Sequence, residues 1–385
     1  EILRCLVGSE MCIRDSVETI CILVGMMLLV AVIKNSGIFE YIAIKAAKIA
    51  KGRPWPIMVI FIFITAVCSG MLDNVTTVLL VGPMTLAITN ILKVDPVPYI
   101  ITQIMASNIG GTATLIGDPP NIMIGSAAKL SFVDFILNTG VATVFVIIVG
   151  LICMYFIYGR KLFVTDESIA KVMQLDENKA IKDRKLMHES VIVIILVALC
   201  FIFHDQLGVQ SCTVAIAAAC IMLLIGGQEP EEIIADVEWP TILFFIGLFI
   251  VVGGMKKVGV ITMLANGLIS ITHGNMVVTM MVILWVSAIV SSFLDNIPFV
   301  ATLIPMILTM QSEGMDVTPI WWALSLGACL GGNGTLIGAS ANVVLSGISK
   351  NNGHPITFGQ YFKIGFPMMI LSIIVCSVFL LIRFA

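Results

Sequence analysis

Charge is what this sequence has least of. Only 12% of its 385 residues are Asp, Glu, Lys or Arg, against roughly 25% in an ordinary soluble domain. That is too little to cover a water-facing surface, so a soluble globular fold is excluded. Histidine is equally sparse: the four, at 188, 204, 273 and 354, are scattered, which argues against a zinc site. The ten cysteines contain no CxxC, and Cys68, Cys153, Cys200, Cys220, Cys329 and Cys376 lie in apolar stretches, where they read as small hydrophobes. No segment combines dense Lys and Arg with aromatics, and the net charge is -3, so no nucleic-acid partner is expected. There is no P-loop; any ATPase would be a separate partner.

What is abundant is apolar surface. Hydrophobic residues make up 59% of the chain and the mean hydropathy is +1.07. Runs such as 136–157 and 364–382 approach the ~20 residues needed to cross hydrocarbon. The fold class expected is an all-α integral membrane protein. Residues 1–16, EILRCLVGSEMCIRDS, share none of the periodicity that follows, and SEMCIRDS resembles translated adapter sequence. They are set aside as non-native, with the native chain expected to begin near Val17.

The remainder repeats itself. SGMLDNVTTVLLVGPMTLAIT at 69–89 matches SSFLDNIPFVATLIPMILTM at 291–310, placing Asp73 and Asp295 222 residues apart (295 − 73). GGTATLIGDPPN at 110–121 matches GGNGTLIGASAN at 331–342 at an offset of 221 (331 − 110). Gly25 and Lys34 match Gly247 and Lys256. Three blocks in one order at one offset mark a duplication: a first repeat over 17–158, a linker over 159–189 and a second repeat over 190–385. The second repeat opens with apolar segments 190–203 and 209–226 that have no counterpart in the first, so one or two native N-terminal helices are expected to be missing.

Positive charge orients the chain. The linker holds Arg160, Lys161, Lys171, Lys179, Lys182, Arg184 and Lys185, and the segment 34–53 holds Lys34, Lys45, Lys48, Lys51 and Arg53; both should be cytoplasmic. The partner of the second segment, 256–275, has only Lys256 and Lys257. This asymmetry is what inverted topology predicts. It makes 55–92 and 276–311 re-entrant hairpins with arms of ~15–18 residues, LDN at each tip, and 97–129 and 318–350 crossing segments broken by Gly-rich loops. The stretches 38–52 and 258–272 read as amphipathic helices along the interface.

Unwound backbone at membrane depth survives only around a cavity or inside protein, and a buried carboxylate costs about 2.5–3.5 kcal/mol on insertion scales. The candidate transport and ion-binding residues are therefore those at the breaks and tips. The first half supplies Asp73, Asn74, Thr76, Thr77, Asn108, Gly110, Gly111, Thr112, Thr114, Gly117, Asp118, Pro119 and Asn121. The second supplies Asp295, Asn296, Pro298, Gly331, Gly332, Asn333, Gly334, Thr335, Gly338, Ser340 and Asn342. Asp73 and Asp295 read as carboxylates delivered to a central site; they can also be helix N-caps, and a cap can also be a ligand. Asp118 has no acidic mate, Ala339 standing in its place. No catalytic residue or cofactor is expected; a coupling ion, Na⁺ or H⁺, would sit at Asp73/Asn74 and Asp295/Asn296.

The motifs LDNVTT at 72–77, SNIGGTATLIGDPPNIMIGSA at 107–127, LDNIP at 294–298 and GGNGTLIGASANVV at 331–344 resemble the ion transporter superfamily, in its ArsB/NhaD branch of arsenical-pump membrane proteins, sodium/proton antiporters and the melanosomal P protein. The resemblance covers 17–385. It implies a scaffold with a transport domain, elevator-like alternating access, a homodimer and multi-pass insertion in the cell membrane. Related sodium-coupled dicarboxylate symporters carry Ser-Asn-Thr at the hairpin tips, whereas this chain has Asp73-Asn74-Val75 and Asp295-Asn296-Ile297.

No Lys or Arg falls in either broken loop or at either tip, so an organic anion would meet carboxylates alone. Two unit charges ~4 Å apart interact by about 4 kcal/mol at an effective dielectric near 20. The expected cargo is thus a small inorganic cation exchanged for H⁺ or Na⁺, or a neutral metalloid such as arsenous acid. A Na⁺-coupled di- or tricarboxylate symporter is the alternative. A channel would also use broken helices. An intramembrane aspartyl protease is disfavoured, because GxGD is absent and no Tyr precedes Asp73 or Asp295.

Overall fold

A computed structural model describes residues 10–272 and 274–384, and every regular element among them is helical. The helices are α1 (Glu10–Lys34), α2 (Ile38–Ile49), α3 (Pro54–Leu72), α4 (Asn74–Leu92), α5 (Val97–Thr112) and α6 (Pro119–Ala128). A long apolar span, α7, covers Phe132–Lys161. There follow α8 (Asp166–Met173), α9 (Arg184–Leu207), α10 (Ser211–Ile225), α11 (Pro230–Ala235), α12 (Trp239–Lys257) and α13 (Val260–Thr272). The chain finishes with α14 (Met276–Phe293), α15 (Asn296–Ser312), α16 (Thr318–Gly331), α17 (Ser340–Asn351) and α18 (Phe358–Phe384). Of the stretch set aside as non-native, residues 1–9 lie outside the described residues, and helix α1 is continuous from Glu10 through Val17.

Among the described residues, seven helices are long and apolar enough to cross a membrane. The arms of the first hairpin exceed the expected length: α3 and α4 have 19 residues each, so at ~1.5 Å per residue each approaches the thickness of a hydrocarbon core. α14 has 18 residues and α15 has 17. Burial separates inner from outer helices. Of the most apolar window, 61% is buried in α4 but only 22% in α7 and 28% in α9. Those two present Val144, Phe145, Ile148, Ile192 and Ile195 outward, the surface a lipid-facing helix requires.

The breaks expected from glycine and proline are present. α5 ends at Thr112 and α6 starts at Pro119, whose fixed φ and missing N–H suit a first helical turn. α16 ends at Gly331 and α17 starts at Ser340. The glycines do more than interrupt helices. A Cβ on Gly110 would lie 2.1 Å from the Ala66 carbonyl oxygen of α3, and one on Gly331 2.6 Å from that of Ala288 in α14. Close helix packing is thus a second function of the same residues. Ser69 Oγ donates to the Ser107 carbonyl at 2.7 Å, and Ser291 Oγ to that of Ala328 at 2.6 Å; both pairs stand in the repeat relation.

The linker, expected to be a loop, contains a helix. Thr165 caps α8, Asp166 and Glu167 occupy its first turn, and Lys171 its last, which complements the helix dipole. The linker is tied to α2 by the 2.6 Å ion pair of Lys48 Nζ with Glu177 Oε2, and to the turn before α2 by Lys182 N donating to the Ser36 carbonyl at 3.0 Å. Gly37 (φ 80°) permits this approach: a Cβ there would lie 2.1 Å from the Ala180 oxygen.

Candidate functional site

Each break is held shut by one asparagine in the helix that follows it. Asn121 Nδ2 donates to the carbonyls of Gly111, Thr112 and Thr114 at 3.3, 3.2 and 2.9 Å. Asn342 Nδ2 donates to those of Gly332 and Thr335 at 2.7 and 2.8 Å. These are the orphan carbonyls a broken helix creates, which must be satisfied when no water is at hand. Thr114 Oγ1 bonds the Gly70 carbonyl and Thr335 Oγ1 that of Ser292, tying each loop to the hairpin beside it. Gly111 and Gly117 fold against each other, as do Gly332 and Gly338: added Cβ atoms would lie 2.6, 2.7, 3.0 and 2.8 Å from the nearest atom.

The asparagine oxygens point the other way, into the opposite half. Asn121 Oδ1 accepts from Ser325 Oγ at 2.6 Å and Cys329 Sγ at 3.5 Å. Asn342 Oδ1 accepts from Asn108 Nδ2 at 2.9 Å, and the same Nδ2 donates to Asn333 Oδ1 at 2.9 Å. Each break is therefore bonded, in the buried interior, to the helix that leads into the other: Asn121 to α16, and Asn333 and Asn342 to Asn108 of α5. Asn108 Oδ1 and Thr77 Oγ1 are buried with no hydrogen-bond partner among the described residues, which for buried oxygens is costly.

Both aspartates are N-caps. Asp73 Oδ1 accepts from Val75 N at 2.8 Å and Thr76 N at 3.1 Å, and Thr76 Oγ1 donates to Oδ2. Asp73 has φ 117° and ψ 159°, a region otherwise occupied almost only by glycine, where a side chain stores ~1–3 kcal/mol of strain. Asp295 accepts from Ile297 N at 3.0 Å and from Ser340 Oγ at 3.0 Å with an ordinary φ of -54°. Across the interface, Asn296 Nδ2 donates to Asp118 at 3.2 and 3.4 Å.

Between the tips lies a small cavity, with about 20 Å³ of room for the centre of a water-sized molecule. That is enough for one water or a bare monovalent cation. Tip one gives it Asp73, Asn74 and Val75, the first break gives Asp118 and Pro119, tip two gives Asn296 and Ile297, and α17 gives Ser340. Leu23 and Met27 of α1 close the apolar side, and Glu238 and Thr241 enter from the start of α12. Among the described residues no Lys, Arg or His lines it. Asp73, Asn74, Asp118 and Asn296 are at most 4% exposed.

Of the residues expected to carry transport, Asp73, Asn74, Asp118, Pro119, Asn296 and Ser340 come together on this cavity. Asp295 stands behind Ser340, and Thr76 behind Asp73. Asn108, Gly110, Gly111, Thr112, Thr114, Gly117 and Asn121, with Gly331, Gly332, Asn333, Gly334, Thr335, Gly338 and Asn342, belong to the two closed breaks rather than to its lining. Thr77 and Pro298 are likewise off the lining. Sequence reasoning missed Glu238 and Thr241, which lie outside the repeated motifs; the available signal was a carboxylate directly preceding an apolar segment.

A family model described as a citrate transporter matches residues 15–327. Over 371 residues the chain is 43% identical to an uncharacterized transporter of Mycobacterium tuberculosis, a match spanning 95% of this chain and 86% of that protein. It is 32% identical over 445 residues to the P protein of Homo sapiens, covering 95% of this chain and 53% of the P protein. In fold it is similar to the YdaH transporter of Alcanivorax borkumensis, with a TM-score of 0.64 over 98% of this chain and 88% of that one, at 14% identity.

Proposed function

This chain belongs to the citrate transporter family of membrane transporters, and from that premise we propose that it is a secondary active transporter exchanging a small inorganic cation for H⁺ or Na⁺. One observation carries the reading: the cavity between the hairpin tips is walled by Asp73, Asp118 and Glu238 with no fixed cation among the described residues. A site so charged favours cations over anions by several kcal/mol at short range. A carboxylate that binds either H⁺ or a metal cation becomes an exchanger by competition alone. Asn108 Oδ1 and Thr77 Oγ1, buried and unpaired among the described residues, are the class of hard oxygen ligand that suits a coupling Na⁺. A neutral metalloid such as arsenous acid fits the same lack of fixed positive charge and stands as a second cargo of the efflux type.

In this reading the halves are inverted repeats, the hairpins are re-entrant, the linker 159–189 is cytoplasmic and alternating access moves the hairpin tips together. Hydrogen bonds that recur at the repeat offset support the repeat itself. The Ser69 hydroxyl bonds the backbone carbonyl of Ser107, and the Ser291 hydroxyl bonds the backbone carbonyl of Ala328, the equivalent position in the second half.

A second reading, Na⁺-coupled carboxylate symport, is favoured by the family's description as citrate transporters. It requires bound cations or protons to neutralise the cavity before an anion enters. Purified protein in proteoliposomes with an internal pH dye decides between them. Cation exchange predicts dye recovery on adding Na⁺, Li⁺ or K⁺ across an imposed pH gradient, without added organic acid. Uptake of labelled citrate or succinate with no cation-driven proton movement would overturn the exchange reading in favour of the symporter, and arsenite uptake into everted vesicles would identify the metalloid cargo.

A further inference from the structure

Most of the cavity wall comes from the hairpin tips and the first break, but one carboxylate arrives from elsewhere. Glu238 stands immediately before α12, a helix that packs against α1, α13 and α15. It is partly buried, and its side chain has one hydrogen bond among the described residues, accepted by Oε2 from Thr241 Oγ1 of the adjoining helical turn at 3.3 Å. No ion pair to Glu238 is found among the described residues. A carboxylate turned toward an enclosed space without a cation partner is retained at a cost unless something positive occupies that space.

Asn74 gives an independent indication of a ligand. It is 3% exposed and lines the same cavity, yet its side-chain amide makes no hydrogen bond among the described residues. Its counterpart Asn296 is committed to Asp118. The difference has a local cause: the residue that would answer Asn74 is Ala339, which has nothing to accept with. Asn74 therefore offers a free amide oxygen to whatever sits between the tips and α12.

We propose that Glu238 and Asn74 together form a cation subsite, in which a monovalent metal cation carried by the transporter is held between the α12 carboxylate and the amide of the first hairpin tip. This rests on the cation-exchange reading above. Glu238 sets affinity for the cargo, while Asp118 is already engaged by Asn296. Thr241 orients Glu238 and leaves its other oxygen open.

The test is cation binding by full-length protein in detergent, read as stabilisation against thermal unfolding in NaCl or LiCl series at constant ionic strength with choline. Expected is saturable stabilisation of the wild type, weakened about tenfold in apparent Kd by Glu238→Gln and by Asn74→Ala, and largely restored in Glu238→Asp. In proteoliposomes Glu238→Gln should raise KM for the cation by a similar factor while maximal rate stays within about twofold. Wild-type binding with an unchanged Kd in Glu238→Gln would overturn the subsite and leave the exchange reading standing. Absence of cation binding in the wild type would overturn both. The melting temperature in choline alone tells whether each variant is folded, and Asn74→Ala, whose unchanged Kd would equally overturn the subsite, keeps the test decisive if Glu238→Gln is not.

Discussion

The two hairpin tips carry the same Leu-Asp-Asn and do different things with it. At the first, Asp73 is 4% exposed, adopts φ 117° and is satisfied locally by Val75 and Thr76. At the second, Asp295 has ordinary backbone and takes a hydroxyl from Ser340, while Asn296 reaches Asp118 in the other half. The tips are alike; the walls they answer to are not. The second tip bonds Asp118 and Ser340, and the repeat-equivalent positions for the first are Ala339 and Pro119, neither of which carries a polar side chain. A duplicated motif specifies the cap, and the opposite wall decides what the cap is free to bind.

The largest effect expected is at the wall. Asp118→Asn should reduce exchange in proteoliposomes by at least about tenfold, because it removes the buried carboxyl that Asn296 holds at the cavity and that can exchange a proton for a cation. The double variant Asp118→Ala with Ala339→Asp moves the acid to the position that answers Asn74, and recovery of part of the exchange would show that the two tips are interchangeable once their walls are exchanged. Next come the tips: Asp73→Asn should impair exchange more than Asp295→Asn, since Asp73 lines the cavity and Asp295 stands behind Ser340. Equal losses would break the comparison.

Smaller and structural, Asn121→Ala and Asn342→Ala each strand buried carbonyls at a break and should cost about 1–3 kcal/mol, seen as lower melting temperatures. The least is expected at the linker. Lys48 hydrogen-bonds Glu177 and holds its carboxyl below the usual range. A depressed folded-state pKa stabilises above the unfolded value and is lost as pH falls through the folded one. Glu177→Gln should thus lower the melting temperature slightly at neutral pH, with the difference from wild type shrinking as the pH falls below the ordinary carboxylate range.

Much of this was legible beforehand because glycine and proline inside an apolar segment have few alternatives. The breaks at 113–118 and 332–339, the aspartate caps and the outer spans follow from that constraint. What could not be read was contact across the halves. Asn108 and Asn342 are 234 residues apart, and no periodicity links them. Glu238 escaped because it belongs to no repeated block, and Asp73 and Asp295 looked equivalent because Pro119 and Ser340, both candidates in their own right, could not be paired with either aspartate from sequence alone. The helix within the linker was hidden by its polarity, although Thr165 and the charges at its two ends spell a short capped helix.

Asn121 and Asn342 each close a break in their own half with the amide nitrogen and take a donor from the other half with the oxygen. Neither half completes its own polar interior. Parted from one another, the two halves would leave these asparagine oxygens and the donors that meet them unpaired, so each holds the other in place by finishing its buried bonds.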